Sequence, residues 1–119
     1  MPHIVLEKVK SVRECYDAVE VMVERIEGGI IKITDKYINA KETSALIESV
    51  SVDNGKSQSF FIQLSSKGEA VTVRLLPQTD PEKTNSVKKL MGLIAKKIKD
   101  ANSEITYEKT NLQDFIIDG

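Results

Sequence analysis

Between Ser44 and Leu76 the chain reads SALIESVSVDNGKSQSFFIQLSSKGEAVTVRLL, and through most of it hydrophobic and small polar residues alternate with period two. Period two is the signature of a strand with one buried face. Three runs are separable: Ser44–Val52, Gln58–Ser65 and Glu69–Leu76. Asp53-Asn54-Gly55 divides the first two, and an Asn-Gly pair tolerates the positive φ that a tight hairpin needs. Ser66-Lys67-Gly68 divides the second and third. Loops this short join antiparallel neighbours. Phe60, Ile62 and Leu64 then share one face with Val71, Val73 and Leu75, leaving Phe61, Gln63, Ser65, Thr72, Arg74 and Leu76 on the other. Ser44–Val52 breaks the pattern, because Leu46, Val50 and Val52 share parity with Glu48. The mismatch predicts a bulge in that run.

Outward from this block, His3–Val9 reads as a first strand, and Ser11-Val12-Arg13-Glu14 has the spacing of a capping box. Val12, Cys15, Tyr16, Val19, Met22, Val23 and Ile26 recur at three- and four-residue steps, which predicts a helix over 12–26 closed by Gly28-Gly29. Ile30–Thr34 and Tyr37–Lys41 read as two strands about a turn at Asp35-Lys36. Asp80-Pro81-Glu82 has the form of a helix start, and Val87, Leu90, Met91, Ile94 and Ile98 carry an amphipathic helix to Asp100. In 103–119, Ile105 and Tyr107 suit an edge strand, while Leu112, Phe115 and Ile116 have helical spacing. The predicted architecture is a single α+β domain over 1–119 with a loosely packed tail at 103–119. It is a two-layer sandwich in the order β-α-β-β-β-β-β-α, with a curved antiparallel sheet of five to six strands and both helices on one face.

At 119 residues, with 40% hydrophobic and 29% charged residues, the chain has the size and composition of one globular domain. Seventeen basic residues against eighteen acidic ones, a net charge of -1, make no global case for a polyanionic partner. The single cysteine, Cys15, has no partner within the chain for a disulfide. The N-terminal run lacks the form of a signal peptide, and no segment has the apolar length of a membrane span, so the expected setting is the cytoplasm without membrane attachment.

The outward sheet positions form the first candidate site: Lys32, Thr34, Tyr37, Asn39, Phe61, Gln63, Ser65, Thr72 and Arg74, with Ser49 and Ser51 beside them. Hydroxyl and amide groups around an aromatic ring and a guanidinium make a flat hydrogen-bonding surface, although polar residues of these kinds also clothe any solvated sheet face. The second candidate is an apolar cavity between sheet and C-terminal helix, lined by Tyr16, Phe60, Leu75, Met91 and Ile94. The helices contrast in charge. Glu14, Asp17, Glu20, Glu24 and Glu27 mark the first, and Lys88, Lys89, Lys96, Lys97 and Lys99 the second, so monomer and homodimer are both compatible. Val21 and Leu93 lie off the apolar stripes as isolated hydrophobic positions.

His3 is the only histidine, which excludes a histidine-based triad or a multi-histidine metal site within one chain. Cys15 sits on an apolar stripe, as a small buried hydrophobe does. Asp53-Asn54-Gly55 lacks the later ligands of a calcium loop, with leucine at position 64 where a glutamate is required. Asp80 and Glu82 are accounted for by a helix start. No metal site, no cofactor and no catalytic set is expected.

The element order from Ile4 to Lys99 resembles the half-repeat of the TATA-binding-protein-like fold, a curved antiparallel sheet backed by two helices. With the runs Val12–Ile26, Ser59–Leu64 and Val71–Leu76, the whole chain resembles an uncharacterised family of small archaeal proteins of that architecture. TATA-binding proteins read DNA through paired phenylalanines on a duplicated domain. Here there is one copy, and Phe61 alone is placed in that manner, so the resemblance carries over no DNA-reading residues. Gly29–Ala40 (GIIKITDKYINA) is similar to the opening of sliding-clamp domains, but the clamp pattern is lost after Val52.

The expected function is a small non-catalytic binding module that engages a macromolecule, protein or nucleic acid, through the open sheet face. The alternative is a small-molecule binder using the cavity.

Overall fold

The computed structural model of the protein describes residues 2–117. Strand β1 (His3–Glu7) leads to helix α1 (Val12–Ala18), then strands β2 (Met22–Ile26), β3 (Gly29–Ile38), β4 (Ser44–Asp53), β5 (Lys56–Lys67) and β6 (Ala70–Leu75). Helix α2 (Asn85–Ala101) and strand β7 (Thr106–Thr110) follow, with short 3-10 turns at Pro77–Thr79 and Gln113–Phe115. All strand pairs are antiparallel, and the seven strands form one curled sheet in the order β2-β3-β4-β5-β6-β1-β7. The α+β class and the antiparallel sheet backed by two helices are as expected, and the sheet is larger than the five to six strands predicted.

The extra strands come from two places. The first helix stops at Ala18, and Val19 is already extended at φ -96 and ψ 121. Its expected second half is β2, hairpinned to β3 with Gly28 at φ +79. Val19 and Val23 satisfy an alternation as well as a helical step, Val21 fits only the alternation, and β-branched side chains favour the pleated surface. Glu20, Glu24 and Glu27 therefore lie on and around an edge strand, not on a helix. In the tail, β7 pairs with β1, and Leu112 is buried. Residues 118–119 of that tail lie outside the described residues.

The turn expected at Asp35-Lys36 is absent, and β3 runs straight through it. A register shift between Ile33 and Asp35 opposite β4 marks a bulge at Thr34. The bulge predicted for β4 is absent: β4 pairs with β5 in unbroken register from Ser44 to Asp53, and Ala45, Ile47, Ser49 and Ser51 share its buried parity. The Thr34 bulge inverts the parity of β3, so Ile31 and Ile33 face the helices before it and Lys36 and Ile38 after it. Lys36 Nζ donates to the Tyr16 carbonyl at 2.8 Å and lies 4.3 Å from the Tyr16 ring centroid. That replaces the apolar contact the position would otherwise supply.

The core lies between the helix-facing side of the sheet and the two helices. Phe60, Ile62, Leu64, Val71, Val73 and Leu75 are all buried there, as the alternation predicts, with Ile4, Leu6, Leu90, Met91, Ile94 and Ile98. Each such large side chain contributes roughly 1.5–3 kcal/mol on burial. Ser11 caps α1 by accepting from the Glu14 amide at 3.1 Å, while Glu14 Oε1 reaches back to the Lys10 amide at 3.3 Å. Helix α2 begins later than predicted, after Thr84, whose hydroxyl accepts from the Val87 amide at 3.4 Å. Among the described residues no helix is long and apolar enough to cross a membrane.

Candidate functional site on the open sheet face

The face turned away from the helices is set by strand register. Tyr37, Leu46, Gln63, Arg74 and His3 form one cross-strand row over β3, β4, β5, β6 and β1. Asp35, Glu48 and Phe61 form the next, while Lys32, Val50 and Ser59 form another beyond the bulge. Of the predicted residues, Lys32, Thr34, Tyr37, Phe61, Gln63, Ser65, Thr72 and Arg74 share this face. Asn39 does not belong to the strands. It organises the β3–β4 connection, its side-chain oxygen accepting from the Thr43 amide at 2.9 Å and the Ser44 amide at 3.0 Å.

Ser49 and Ser51, expected beside these residues, are fully buried on the helix side of β4. Ser49 Oγ donates to the Ile47 carbonyl at 3.0 Å, and Ser51 Oγ has no protein partner. Ala45 and Ile47 are buried with them, while three further hydrophobic residues of β4, Leu46, Val50 and Val52, lie on the open face, each half-buried by its neighbours. Val52 pairs with Ile30 and Val50 with Lys32, which in turn faces Val23 on β2. Val23 is 69% exposed and Tyr37 47% exposed. Leu46, Val50, Val52, Ile30 and Val23 were not singled out from the sequence. The signal for them was the parity clash in Ser44–Val52, where hydrophobic residues fall on both faces of one strand.

Polar groups hold this surface in a defined arrangement. Arg74 Nε donates to Gln63 Oε1 at 2.9 Å, and Gln63 Nε2 donates to Ser44 Oγ at 3.0 Å, a relay across three strands. Thr34 Oγ1 donates to Glu48 Oε2 at 2.8 Å, which anchors the bulge, and the Tyr37 hydroxyl donates to Asp35 at 3.3 Å. Desolvation first, then the Asp35 and Glu48 charges, push the Tyr37 phenol above its ordinary value. The Tyr37 and Phe61 rings stand 6.3 Å apart and tilted by 58°, in the range of a favourable aromatic pair. Beside them a shallow concavity of about 300 Å³ is lined by Tyr37, Leu46, Leu76, Ser44 and Gln63, with Ile38 and Asn39 at its rim.

The predicted cavity residues lie elsewhere. Phe60, Leu75, Met91 and Ile94 are buried in the core, and Tyr16 sits at its margin between Arg13 and Lys36. Burial also pushes the Cys15 thiol up to about 12, which removes its nucleophilic form at neutral pH. On α2, Lys96 pairs with Asp100 at 2.7 Å, and Lys88 and Lys99 lie over the Phe115 and Tyr107 rings. Comparison of the chain with protein-family models, with curated proteins and with solved structures finds no match.

Proposed function

We propose that the protein is a non-catalytic binding module whose open sheet face docks another protein. The observation that carries this is the register of β4, which places Leu46, Val50 and Val52 outside and Ser49 and Ser51 inside. With Ile30, Val23, Tyr37 and Phe61, the outward residues make an apolar and aromatic centre, the composition of protein-interface cores. Gln63, Arg74, Ser65 and Thr72 form a polar flank.

Charge favours a protein over a nucleic acid within this reading. Arg25, Lys32 and Arg74 are the strand cations around the patch, and Asp35 and Glu48 stand among them. Phosphate binding draws its affinity from an excess of cations. Around Tyr37, Phe61 and Val50 the strand charges Lys32 and Arg74 are matched by Asp35 and Glu48, and the further cations Lys67 and Lys109 stand with Glu7 at the far end of the face. A TATA-binding-protein-like assignment and a cytoplasmic setting belong to the same proposal. Their support is the curled antiparallel sheet with helices on one side and, for the setting, the composition.

The test is a photo-crosslinking residue placed at Val50 in the native host, followed by binding measurements on the captured protein. Phe61→Ala and Arg74→Ala are expected to weaken that complex, the aromatic residue by about tenfold or more. Retained affinity in both variants overturns the reading. Titration with duplex DNA and single-stranded RNA that shifts the amides of Lys32, Phe61, Gln63 and Arg74 replaces the protein partner with a nucleic acid.

A further inference from the structure

Strand β2 is an edge strand of the sheet, with β3 on one side only. In an antiparallel edge, alternate residues turn their N–H and C=O groups away from the sheet, which makes a template for another strand. Val21 and Val23 beside this edge are 61% and 69% exposed. On the helix side of β2 runs a groove of about 310 Å³. Its apolar floor and walls are Ile26 and Ile31 from the sheet, Leu93 from α2, and Phe115, Ile116 and Ile117 from the C-terminal segment. Glu24, Asp114 and Lys89 stand at its margins.

The exposed charge along the edge strand is mainly acidic, with Lys89 on the α2 side of the groove. Glu20, Glu24 and Glu27 are exposed along β2 and its flanks, and Arg25 is the only cation among them. Neither the Glu24 nor the Asp114 carboxylate takes part in an ion pair or side-chain hydrogen bond among the described residues. A sheet edge bordered by a helix, with an apolar groove between them, suits strand addition. The ladder receives the peptide backbone, and the groove receives every second side chain.

We propose that β2 and the β2–α2 groove form a second binding site, which takes an extended, basic peptide segment of a partner protein. The segment adds to β2 as an eighth strand. One row of its side chains puts an apolar residue between Ile26 and Leu93, with a lysine or arginine on either side to meet Glu24 and Asp114. Its other row lies beside Val21 and Val23 and is β-branched. This site meets the open face only at Val23 and does not depend on what docks at Tyr37 and Phe61.

The experiment uses the whole protein and the fluorescein-labelled peptide Thr-Lys-Val-Leu-Thr-Lys-Thr, whose Lys, Leu and Lys share one face. Binding is read by anisotropy and located by amide shifts. The expected result is saturable binding with shifts at Met22–Ile26, Leu93 and Phe115–Ile117. A peptide with both lysines replaced by glutamate, and the Glu24→Lys protein, each lose at least about tenfold in affinity. N-methylation of one alternate set of peptide amides abolishes binding, and methylation of the other set leaves it. Phe61→Ala, on the open face, leaves it unchanged. Glu24 is exposed, so its substitution leaves the fold intact, and Leu93→Asp provides a second blocked groove. No binding at millimolar peptide, equal binding by both N-methylated isomers, or shifts centred on Leu46 and Phe61 overturns the proposal. Concentration-dependent self-association that protects β2 also overturns it, because the edge then belongs to a second copy.

Discussion

The Asp53 carboxylate, at the end of β4, accepts a hydrogen bond from the Thr84 hydroxyl at 3.0 Å. Thr84 is the N-cap of α2, so one carboxylate ties the sheet to the start of the longest helix. Ser86, in the first turn, donates its hydroxyl to the other Asp53 oxygen. The negative charge also complements the positive end of the helix dipole. Asp53→Ala is expected to lower stability by about 2 kcal/mol, since it removes two charge-assisted bonds and leaves the buried Ser86 hydroxyl unpaired. Asp53→Asn keeps an acceptor and is expected to cost about half as much. Urea unfolding of the three proteins checks both. Equal stability of Asp53→Ala and the parent protein shows that α2 is held by its apolar face alone.

Ser51 makes the opposite prediction. It is fully buried between Ile31 and Gln58, and its hydroxyl has no protein partner. A buried hydroxyl without a bond costs about 1–3 kcal/mol, so Ser51→Ala is expected to stabilise the protein by up to about 1 kcal/mol after the lost volume is counted. A destabilised Ser51→Ala protein shows instead that an ordered water satisfies the hydroxyl.

The alternation in Gln58–Ser65 and Glu69–Leu76 was legible because each run has one buried face and keeps its register. Val12–Ile26 was not, because its apolar residues satisfy two periods. Neither capping at Ser11 nor the Gly28-Gly29 pair distinguishes one long helix from a short helix and a hairpin. The Thr34 bulge left no mark in the sequence beyond the polar Asp35-Lys36 pair, which reads as a turn between two strands. Local pattern fixes the face of a strand only while the register holds, and a bulge in one strand reassigns faces without a mark in its own composition. Phe61, Gln63 and Arg74 are outward as their alternation predicts. In β4, by contrast, the side chains of Leu46, Val50 and Val52 outweigh Ala45 and Ile47 in the pattern, and only the unbroken pairing with β5 shows that Ala45, Ile47, Ser49 and Ser51 face inward.

Glu7 on β1 and Glu108 on β7 predict a pH dependence at the other edge of the sheet. A hydrogen bond with Glu108 first, then burial and the Glu108 charge, hold the Glu7 carboxyl above the usual glutamate range. The folded state thus binds the Glu7 proton more tightly than the unfolded chain does. Its contribution is fully present below the ordinary value of 4.5 and is lost as pH rises through the higher folded value. Amide exchange in β7, corrected for intrinsic rates, is expected to be slower at pH 4 than at pH 7. In Glu7→Gln, whose amide donates to Glu108 at any pH, the difference is expected to vanish. The same pH dependence in Glu7→Gln assigns it to another group.

Gly92 offers the sharpest test of how the C-terminal segment is seated. A Cβ at this position meets the Phe115 carbonyl oxygen at 2.1 Å, a contact with backbone that no rotamer change relieves. Alanine is otherwise preferred over glycine inside a helix by about 1 kcal/mol. The two effects oppose each other, so the sign of the change reports on the contact. If the segment is pressed against α2, Gly92→Ala is expected to destabilise the protein by about 1–3 kcal/mol. It is also expected to shift the amides of Leu112, Phe115 and Ile116 and to open the segment to proteolysis. The β2–α2 groove loses its Phe115 and Ile116 wall in the same variant, so affinity for the basic peptide falls with it. A Gly92→Ala protein that is more stable than the parent, with those amides unmoved, shows that the segment does not rest on the helix.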